Sequence, residues 1–371
     1  MKRLFVIAGE TSGDTHGAGV FGELRARHPS LEIHGLGGPR LRALAGDSLE
    51  DWVADAAVLG AWEVIKHYGF FRRKFHDALR RIESLRPDAV VLIDYPGFNL
   101  RLAQKLQRLR PGLKIIYYIS PQVWAWHRSR IPKMARWLDL MICLFPFEAP
   151  LYSASGLRTE FGGHPLTDYL AAKRTVHPRA PDLVALLPGS REREIAALWP
   201  AMLDAADRLR ATHPHLRFAT AAVNQRLADR LRTLAGPFPV DIGLGNAPDL
   251  MQRAAAGLVA SGTATLEAAY FGLPHALVYK VAWLTYEIGR RVITVPHLGI
   301  VNILAGRTVV REFIQHAATP DAMAAELARL LDDPEATATL RREMADVVAT
   351  LGSGGAYARS ATLIEQALGA A

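Results

Sequence analysis

The sequence predicts an α/β protein of two domains, each a parallel sheet covered by helices. Three observations predict it. At 371 residues the chain exceeds what one hydrophobic core ordinarily organises. Short β-branched or apolar runs alternate with longer amphipathic ones, the pattern of βα units around parallel sheets. The alternation stops once, at the polar, alanine-rich stretch Thr167–Pro181, and then restarts, so this stretch is read as a linker.

In the first half the spacing predicts strands over Arg3–Ala8, Leu31–Leu36, Ala89–Asp94, Lys114–Ile119, Leu138–Leu144 and Thr159–Gly162. Helices are expected between them, among others over Thr15–Arg27, Phe70–Leu85 and Leu100–Leu109. The second half is expected to carry strands over Leu183–Leu187, Leu216–Ala222, Val240–Ile242, Gly257–Ala260 and Ala276–Tyr279. Three helical stretches without intervening strands follow Pro320. The domains are taken as 1–166 and 182–352, with the last helix, about 353–371, expected to cross back and brace the first. Two such halves imply a cleft between them, where ligands meet the carboxyl ends of the strands.

Half of the residues are hydrophobic and 22% are charged, a globular rather than a disordered composition. No apolar run approaches the roughly 20 residues of a membrane-spanning helix. The N-terminus, Met1–Ala8, lacks a long apolar stretch and runs straight into Gly9-Glu10-Thr11, so it is read as a first strand and not a signal peptide. A cytoplasmic protein is expected. The single cysteine, Cys143, excludes an intrachain disulfide. A net charge of +8 and a pI of about 9.7 favour an anionic partner: nucleic acid, a phosphorylated metabolite or an acidic membrane leaflet.

Several strand ends carry polar or glycine-rich turns. The first is Gly9-Glu10-Thr11-Ser12-Gly13-Asp14-Thr15, in which Ser12, Asp14 or Thr15 can cap the next helix and the helix start can face a ligand. An ordinary βα turn explains it equally well. Gly17-Ala18-Gly19-Val20-Phe21-Gly22 spells the dinucleotide fingerprint, but it begins inside the helix and not at the turn. Close helix packing explains these glycines better, and a nicotinamide or flavin site is rejected. Asp94, in Ile93-Asp94-Tyr95-Pro96-Gly97-Phe98-Asn99, ends a strand buried on both faces; Pro96 is expected to stop that strand from running on into a helix. The carboxylate is either a general base or an acceptor of loop amides.

Ser120-Pro121-Gln122-Val123-Trp124-Ala125-Trp126 follows another strand, and two tryptophans beside a polar turn suit a ligand or membrane interface. Arg128, Arg130, Lys133 and Arg136 come next without an intervening acid, either a solvated basic face or a phosphate or lipid-headgroup site. Trp62, Phe70, Phe71, Arg72, Arg73 and Lys74 belong to an aromatic and basic segment suited to contact with acyl chains or an anionic membrane, or else to partly buried core with a basic rim. In the second half, Leu187-Pro188-Gly189-Ser190-Arg191 brings amides, a hydroxyl and a guanidinium to one helix start, suited to a pyrophosphate. Ser261-Gly262-Thr263-Ala264-Thr265-Leu266-Glu267 repeats that logic, with Glu267 a turn further in and able to accept bonds from sugar hydroxyls. Two such motifs together point to a nucleotide diphosphate. No P-loop, zinc-binding, G-x-S-x-G or D-x-D pattern is present, and a reaction without metal or other cofactor is expected.

In combination and order these motifs resemble the lipid-A-disaccharide synthase family. The matching segments are Ala8–Asp14, Gly37–Arg40, Ile93–Asn99, Ser120–Trp126, Leu144–Glu148, Gly163–Pro165, Leu186–Arg191, Ser261–Glu267 and Asn302–Arg307. The resemblance implies the GT-B fold, two Rossmann-like domains with parallel sheets facing an interdomain cleft. It implies an inverting, metal-independent glycosyltransferase that joins UDP-2,3-diacylglucosamine to the 6-hydroxyl of 2,3-diacylglucosamine 1-phosphate. The products are a β-1,6 disaccharide phosphate and UDP. It implies Asp94 as catalytic carboxylate and Arg191, with Ser190, at the UDP phosphates. Glu267 and Asn302 are implied on the nucleotide sugar, and Glu10 and Ser12 are expected at the acceptor side; Ser120, Gln122, Ser261 and Thr263 are further substrate-binding candidates. Two departures stand out: Ile300-Val301-Asn302 replaces an expected Leu-Pro-Asn, and Gly97 stands where Asp is frequent.

The substrates' acyl chains imply attachment to the inner face of the cytoplasmic membrane, as a monomer or homodimer, with no specific nucleic-acid binding. Rival readings are a peptidoglycan N-acetylglucosaminyltransferase, a UDP-sugar 2-epimerase, or a non-catalytic nucleotide-sugar-binding module. The tryptophan motif weighs against the first two.

Overall fold

The computed structural model describes residues 2–56, 68–175, 178–292 and 295–369. The chain divides into two units, Met1–Pro165 with Ser353–Ala371, and Leu166–Gly352.

In the first unit the strands are β1 Arg3–Ala8, β2 Glu32–Gly37, β3 Leu49–Asp51, β4 Ala89–Ile93, β5 Lys114–Tyr118, β6 Leu140–Cys143 and β7 Thr159–Phe161. They are all parallel and lie in the order β3-β2-β1-β4-β5-β6-β7. Every residue of β4 is buried, as is Leu4–Ala8 of β1. A central strand covered on both faces reads as an unbroken apolar run, as Val90-Val91-Leu92-Ile93 does. Each such side chain contributes about 1.5–3 kcal/mol by leaving water.

The chain winds from β1 outward to β3, then returns to the other side of β1 to lay down β4. The carboxyl ends of β1 and β4 are therefore the topological switch point, where α/β sheets open a crevice for ligands.

The helix after β1 spans Thr11–Arg27, four residues earlier than its sequence pattern suggests. Asp14 does not cap it. Its carboxylate instead accepts from the amides of Gly38, Arg40 and Leu41 at 2.9–3.0 Å, fastening the start of the helix Pro39–Ala45. A Cβ on Gly17 would come within 2.7 Å of Ile93, and one on Gly19 within 2.7 Å of Tyr357, so both glycines serve close packing. Tyr357 belongs to the helix Ala356–Ala367, which lies along Thr11–Arg27. Arg27 donates to Thr362, Glu365 and the Ala358 carbonyl.

The second unit has β8 Ala180–Leu187, β9 Arg217–Ala222, β10 Val240–Leu244, β11 Ala254–Ala260, β12 His275–Tyr279 and β13 Glu312–Ile314. Again all are parallel, in the order β10-β9-β8-β11-β12-β13. Its switch point lies between the carboxyl ends of β8 and β11.

Three sequence expectations need correcting here. The stretch Thr167–Pro181 is not a bare linker: it contains most of the helix Pro165–Ala171 and the start of β8. Leu166 and Leu170, one turn apart, are buried and give that helix an inner face. The strands β3 and β13 went unpredicted, because three residues are too few to show an alternation. Pro96 opens the helix Pro96–Leu109 instead of blocking it, since a first-turn proline forfeits no helical hydrogen bond.

Candidate active site

At the first switch point, β4 ends and the backbone turns sharply. Asp94 and Tyr95 have φ of 46° and 49°, and Ile119, at the end of β5, has 68°. Three non-glycine residues in the left-handed region cost of order 1–3 kcal/mol each, and such strain gathers at functional sites. The turn is held from behind. Tyr117 Oη and Asn99 Nδ2 donate to the Asp94 carbonyl at 2.5 and 2.8 Å, and the Asp94 amide donates to the Tyr118 carbonyl at 2.9 Å.

Thus fixed, Asp94 lines a cavity of about 300 Å³ together with Ser120, Gln122, Trp126, Arg130 and Glu148. Burial, and then the neighbouring Glu10 charge, push its carboxyl pKa from 3.8 up to about 6, against the pull of the Tyr95 amide. At neutral pH the group is ionised yet far more basic than an exposed aspartate, which suits a general base. Glu10 and Ser12 are both exposed, Glu10 as the residue before the helix Thr11–Arg27.

The two tryptophans differ in role. Trp126 is exposed and lines the cavity. Trp124 is buried and donates through its indole N–H to Glu148 Oε1 at 2.8 Å. Glu148 Oε2 accepts from the Phe145 amide at 3.0 Å. Burial raises the Glu148 pKa to about 7, countered by the Ser120 hydroxyl, the Phe145 and Leu144 amides and the Trp124 indole. One turn on, Tyr152 Oη donates to the Pro121 carbonyl at 2.5 Å. Glu148 and Tyr152 thus clamp the Ser120–Trp126 turn at two points. Sequence reasoning did not assign Glu148 a role. A carboxylate within an otherwise apolar Leu144-Phe145-Pro146-Phe147-Glu148 run was the available signal.

Beside this cavity lies an aromatic groove of about 490 Å³, lined by Tyr68, Phe71, Arg72, Phe75, Tyr95, Phe98 and Arg101 among others. Phe70 stacks on the buried Trp52 and Phe71 meets it edge-on, with centroids 6.4 Å away in each case. They are therefore half-buried and not free surface residues. Lys74 pairs with Glu50, which removes it from the open basic face, whereas Arg72 and Arg73 stay exposed. Trp62 lies outside the described residues. Among the described residues, no helix is long and apolar enough to cross a membrane and no cluster of metal-ligating side chains occurs.

At the second unit's switch point, Ser190 and Arg191 follow β8. Arg191 precedes the helix Glu192–Thr212, and Gly189 turns the chain at φ 108°. The amides of Ser190 and Arg191, expected to be open to a pyrophosphate, donate to Glu194 Oε2 at 3.0 and 3.2 Å. The Arg191 guanidinium meets Glu194 Oε1 at 3.2 Å. The helix supplies its own anion from its third residue, a capping-box arrangement. After β11, Gly262 (φ 140°) leads into the helix Thr263–Tyr270, with Thr263 exposed and Ser261 partly so. Glu267 is half-buried; burial raises its pKa and Lys173 opposes the rise.

Asn302 departs from expectation. Its side-chain oxygen accepts from the Val309 and Val310 amides, and its nitrogen donates to the Val310 carbonyl and Glu312. The amide is buried and has no bonding capacity left for a ligand. Asn302 holds the loop before β13 in shape.

The profile of the family described as lipid-A-disaccharide synthetase matches residues 4–366. The lipid-A-disaccharide synthases of Geobacter metallireducens and Geobacter sulfurreducens are each 40% identical to this chain. They align with 99% of it and with 98% and 97% of their own lengths. Among solved structures, a UDP-GlcNAc 2-epimerase from Neisseria meningitidis has a TM-score of 0.62 at 13% identity, covering 99% of this chain and 100% of that one. Acinetobacter baumannii MurG gives 0.58 at 14%, with the same coverage. These distant structures share the fold, two parallel-sheet α/β domains of the GT-B type. Near-complete alignment at such identity places the sequence more narrowly: the chain belongs to the lipid-A-disaccharide synthase family.

Proposed function

We propose that Asp94 is the general base of this enzyme's glycosyl transfer. The protein is a glycosyltransferase of lipid A biosynthesis, joining UDP-2,3-diacylglucosamine to 2,3-diacylglucosamine 1-phosphate. The observation that carries the assignment is Asp94 at the first switch point, in a sugar-sized cavity, with a carboxyl pKa of about 6. In the reaction, Asp94 takes the proton of the acceptor 6-hydroxyl as that oxygen bonds to the donor's anomeric carbon. The bond from that carbon to the UDP oxygen breaks, and its electron pair leaves with UDP. Attack from the face opposite UDP inverts the anomeric centre.

On the second unit, Arg191 and the Ser190 turn receive the diphosphate, and Glu267 the sugar hydroxyls. A diphosphate there displaces Glu194 from the two amides, exchanging one anion for another. Charge on the leaving UDP grows towards the transition state, so these donors act more strongly there than on bound substrate. Metal is not required in this scheme. The test is disaccharide formation with a chelator present, followed by mass spectrometry and by NMR of the new anomeric centre. Asp94→Asn should bind UDP normally and lose turnover by about 100-fold or more, the range general-base catalysis covers. Turnover within a few-fold of the parent would overturn the assignment.

The acyl chains of the acceptor are assigned to the aromatic groove beside Tyr95, and exposed Arg72 and Arg73 to anionic headgroups. On this reading the enzyme works peripherally at the inner face of the cytoplasmic membrane. Arg72→Glu with Arg73→Glu should weaken binding to anionic vesicles but not UDP binding; unchanged vesicle partitioning would contradict it.

A further inference from the structure

Arg130 contributes a cationic side chain to the Asp94 cavity, whose lining also holds two acids, Asp94 and Glu148. Its guanidinium lies 5.6 Å from the Trp126 ring centroid, a cation–π contact that limits where the fork can point. Its neighbour Arg128 is committed to the Trp124 carbonyl at 3.0 Å. Among the described residues Arg130 has no ion-pair partner. Nor is its charge spent on the cavity's acids. Asp94 responds to burial, Glu10 and the Tyr95 amide, and Glu148 to burial, opposed by donors that include the Phe145 amide and the Trp124 indole.

An open guanidinium on an aromatic shelf, inside a cavity that holds a carboxylate base, needs an anion on the ligand itself. A phosphorylated acceptor would otherwise be repelled by Asp94 as its hydroxyl approached. We propose that Arg130 binds the acceptor's 1-phosphate and thereby makes the enzyme select phosphorylated over unphosphorylated sugar acceptors. The proposal rests on reading the Asp94 cavity as the acceptor site. Bidentate recognition by the planar fork is what an arginine, and not a lysine, gives a phosphate.

The experiment compares 2,3-diacylglucosamine 1-phosphate with unphosphorylated 2,3-diacylglucosamine as acceptors for the full chain in mixed micelles. Arg130→Gln should raise KM for the phosphorylated acceptor about 10- to 100-fold, the range for losing a charge-assisted pair. Its kcat should stay within a few-fold, and its kinetics with the unphosphorylated acceptor should match the parent's. Arg130→Lys should fall between, while Arg136→Gln, exposed and outside the cavity, leaves both acceptors unchanged. Thermal unfolding followed by circular dichroism reports that each variant is folded. Equal losses on both acceptors, or none on either, overturn the proposal. So does an upward move of the pH–rate inflection in Arg130→Gln, which would make Arg130 a neutraliser of Asp94. Asp94→Asn is assayed in parallel: if it keeps turnover, the base assignment fails, whatever the selectivity of Arg130→Gln.

Discussion

Replacing Asp94 by Asn is expected to stabilise the protein while removing turnover. Burial and the Glu10 charge raise the folded-state pKa of this carboxyl from 3.8 to about 6. The folded chain therefore holds the proton more tightly than the unfolded chain does. The stability this lends is fully present below about pH 4 and is lost as the pH rises through about 6. Above about pH 7 the folded protein carries a desolvated carboxylate, at a cost of roughly 3 kcal/mol at about 1.4 kcal/mol per pH unit.

Asn is nearly isosteric, has no charge, and tolerates the left-handed backbone at φ 46°. Between about pH 4.5 and about pH 8 its advantage should widen by roughly 2 kcal/mol. For a domain of this size that corresponds to roughly 4–8 °C in Tm. Scanning calorimetry at the two pH values reads the effect directly. An advantage of equal size at both, or a loss at pH 8, would show that Asp94 is not held at a raised pKa and would remove the physical basis for its role as base.

Three further outcomes follow from named contacts. The kcat/KM of the parent should fall on acidification with an inflection near pH 6, and Glu10→Gln, which removes a like charge, should move that inflection downwards; an unmoved inflection excludes their coupling. Glu148→Gln places an amide N–H₂ against one of two donors, Trp124 Nε1 or the Phe145 amide. It should cost roughly 1–3 kcal/mol and alter the near-UV tryptophan dichroism. Asp14→Ala leaves the amides of Gly38, Arg40 and Leu41 without their acceptor. Its cost should be roughly 2–4 kcal/mol by chemical denaturation, with UDP affinity unchanged.

The sheets were legible because central strands of parallel sheets are continuous apolar runs, as in Ala89–Ile93 and Leu183–Leu187. The three-residue edge strands β3 and β13 were not, since each owes its extended form to a neighbour's open hydrogen bonds. In the sites, residue type and strand-end position sufficed to single out Asp94 and the Ser190–Arg191 turn. What they could not tell was which partner a polar side chain meets. Asn302 is the plainest case, because its four bonds come from a loop seven to ten residues on. Glu148 is the converse. Its partners are an indole 24 residues back and an amide three residues back, and only the fold brings Glu148 itself into one cavity with Asp94.

Three buried or half-buried acids of the first unit show how environment assigns role to one functional group. Asp14 accepts three backbone amides and serves as a brace. Glu148 also meets several donors, but deeper burial outweighs them and leaves it near pH 7 in its preference, holding a turn by its two oxygens. Asp94 is the acid whose backbone is pinned from behind, by Tyr117, Asn99 and Tyr118, while its carboxyl faces the cavity beside a second negative charge. Fixing the backbone by its carbonyl and amide leaves the side chain facing the cavity, with the Tyr95 amide alone opposing its raised pKa. A carboxylate that must accept a proton and later release it cannot have its charge neutralised by permanent donors, and among the three only Asp94 meets that condition.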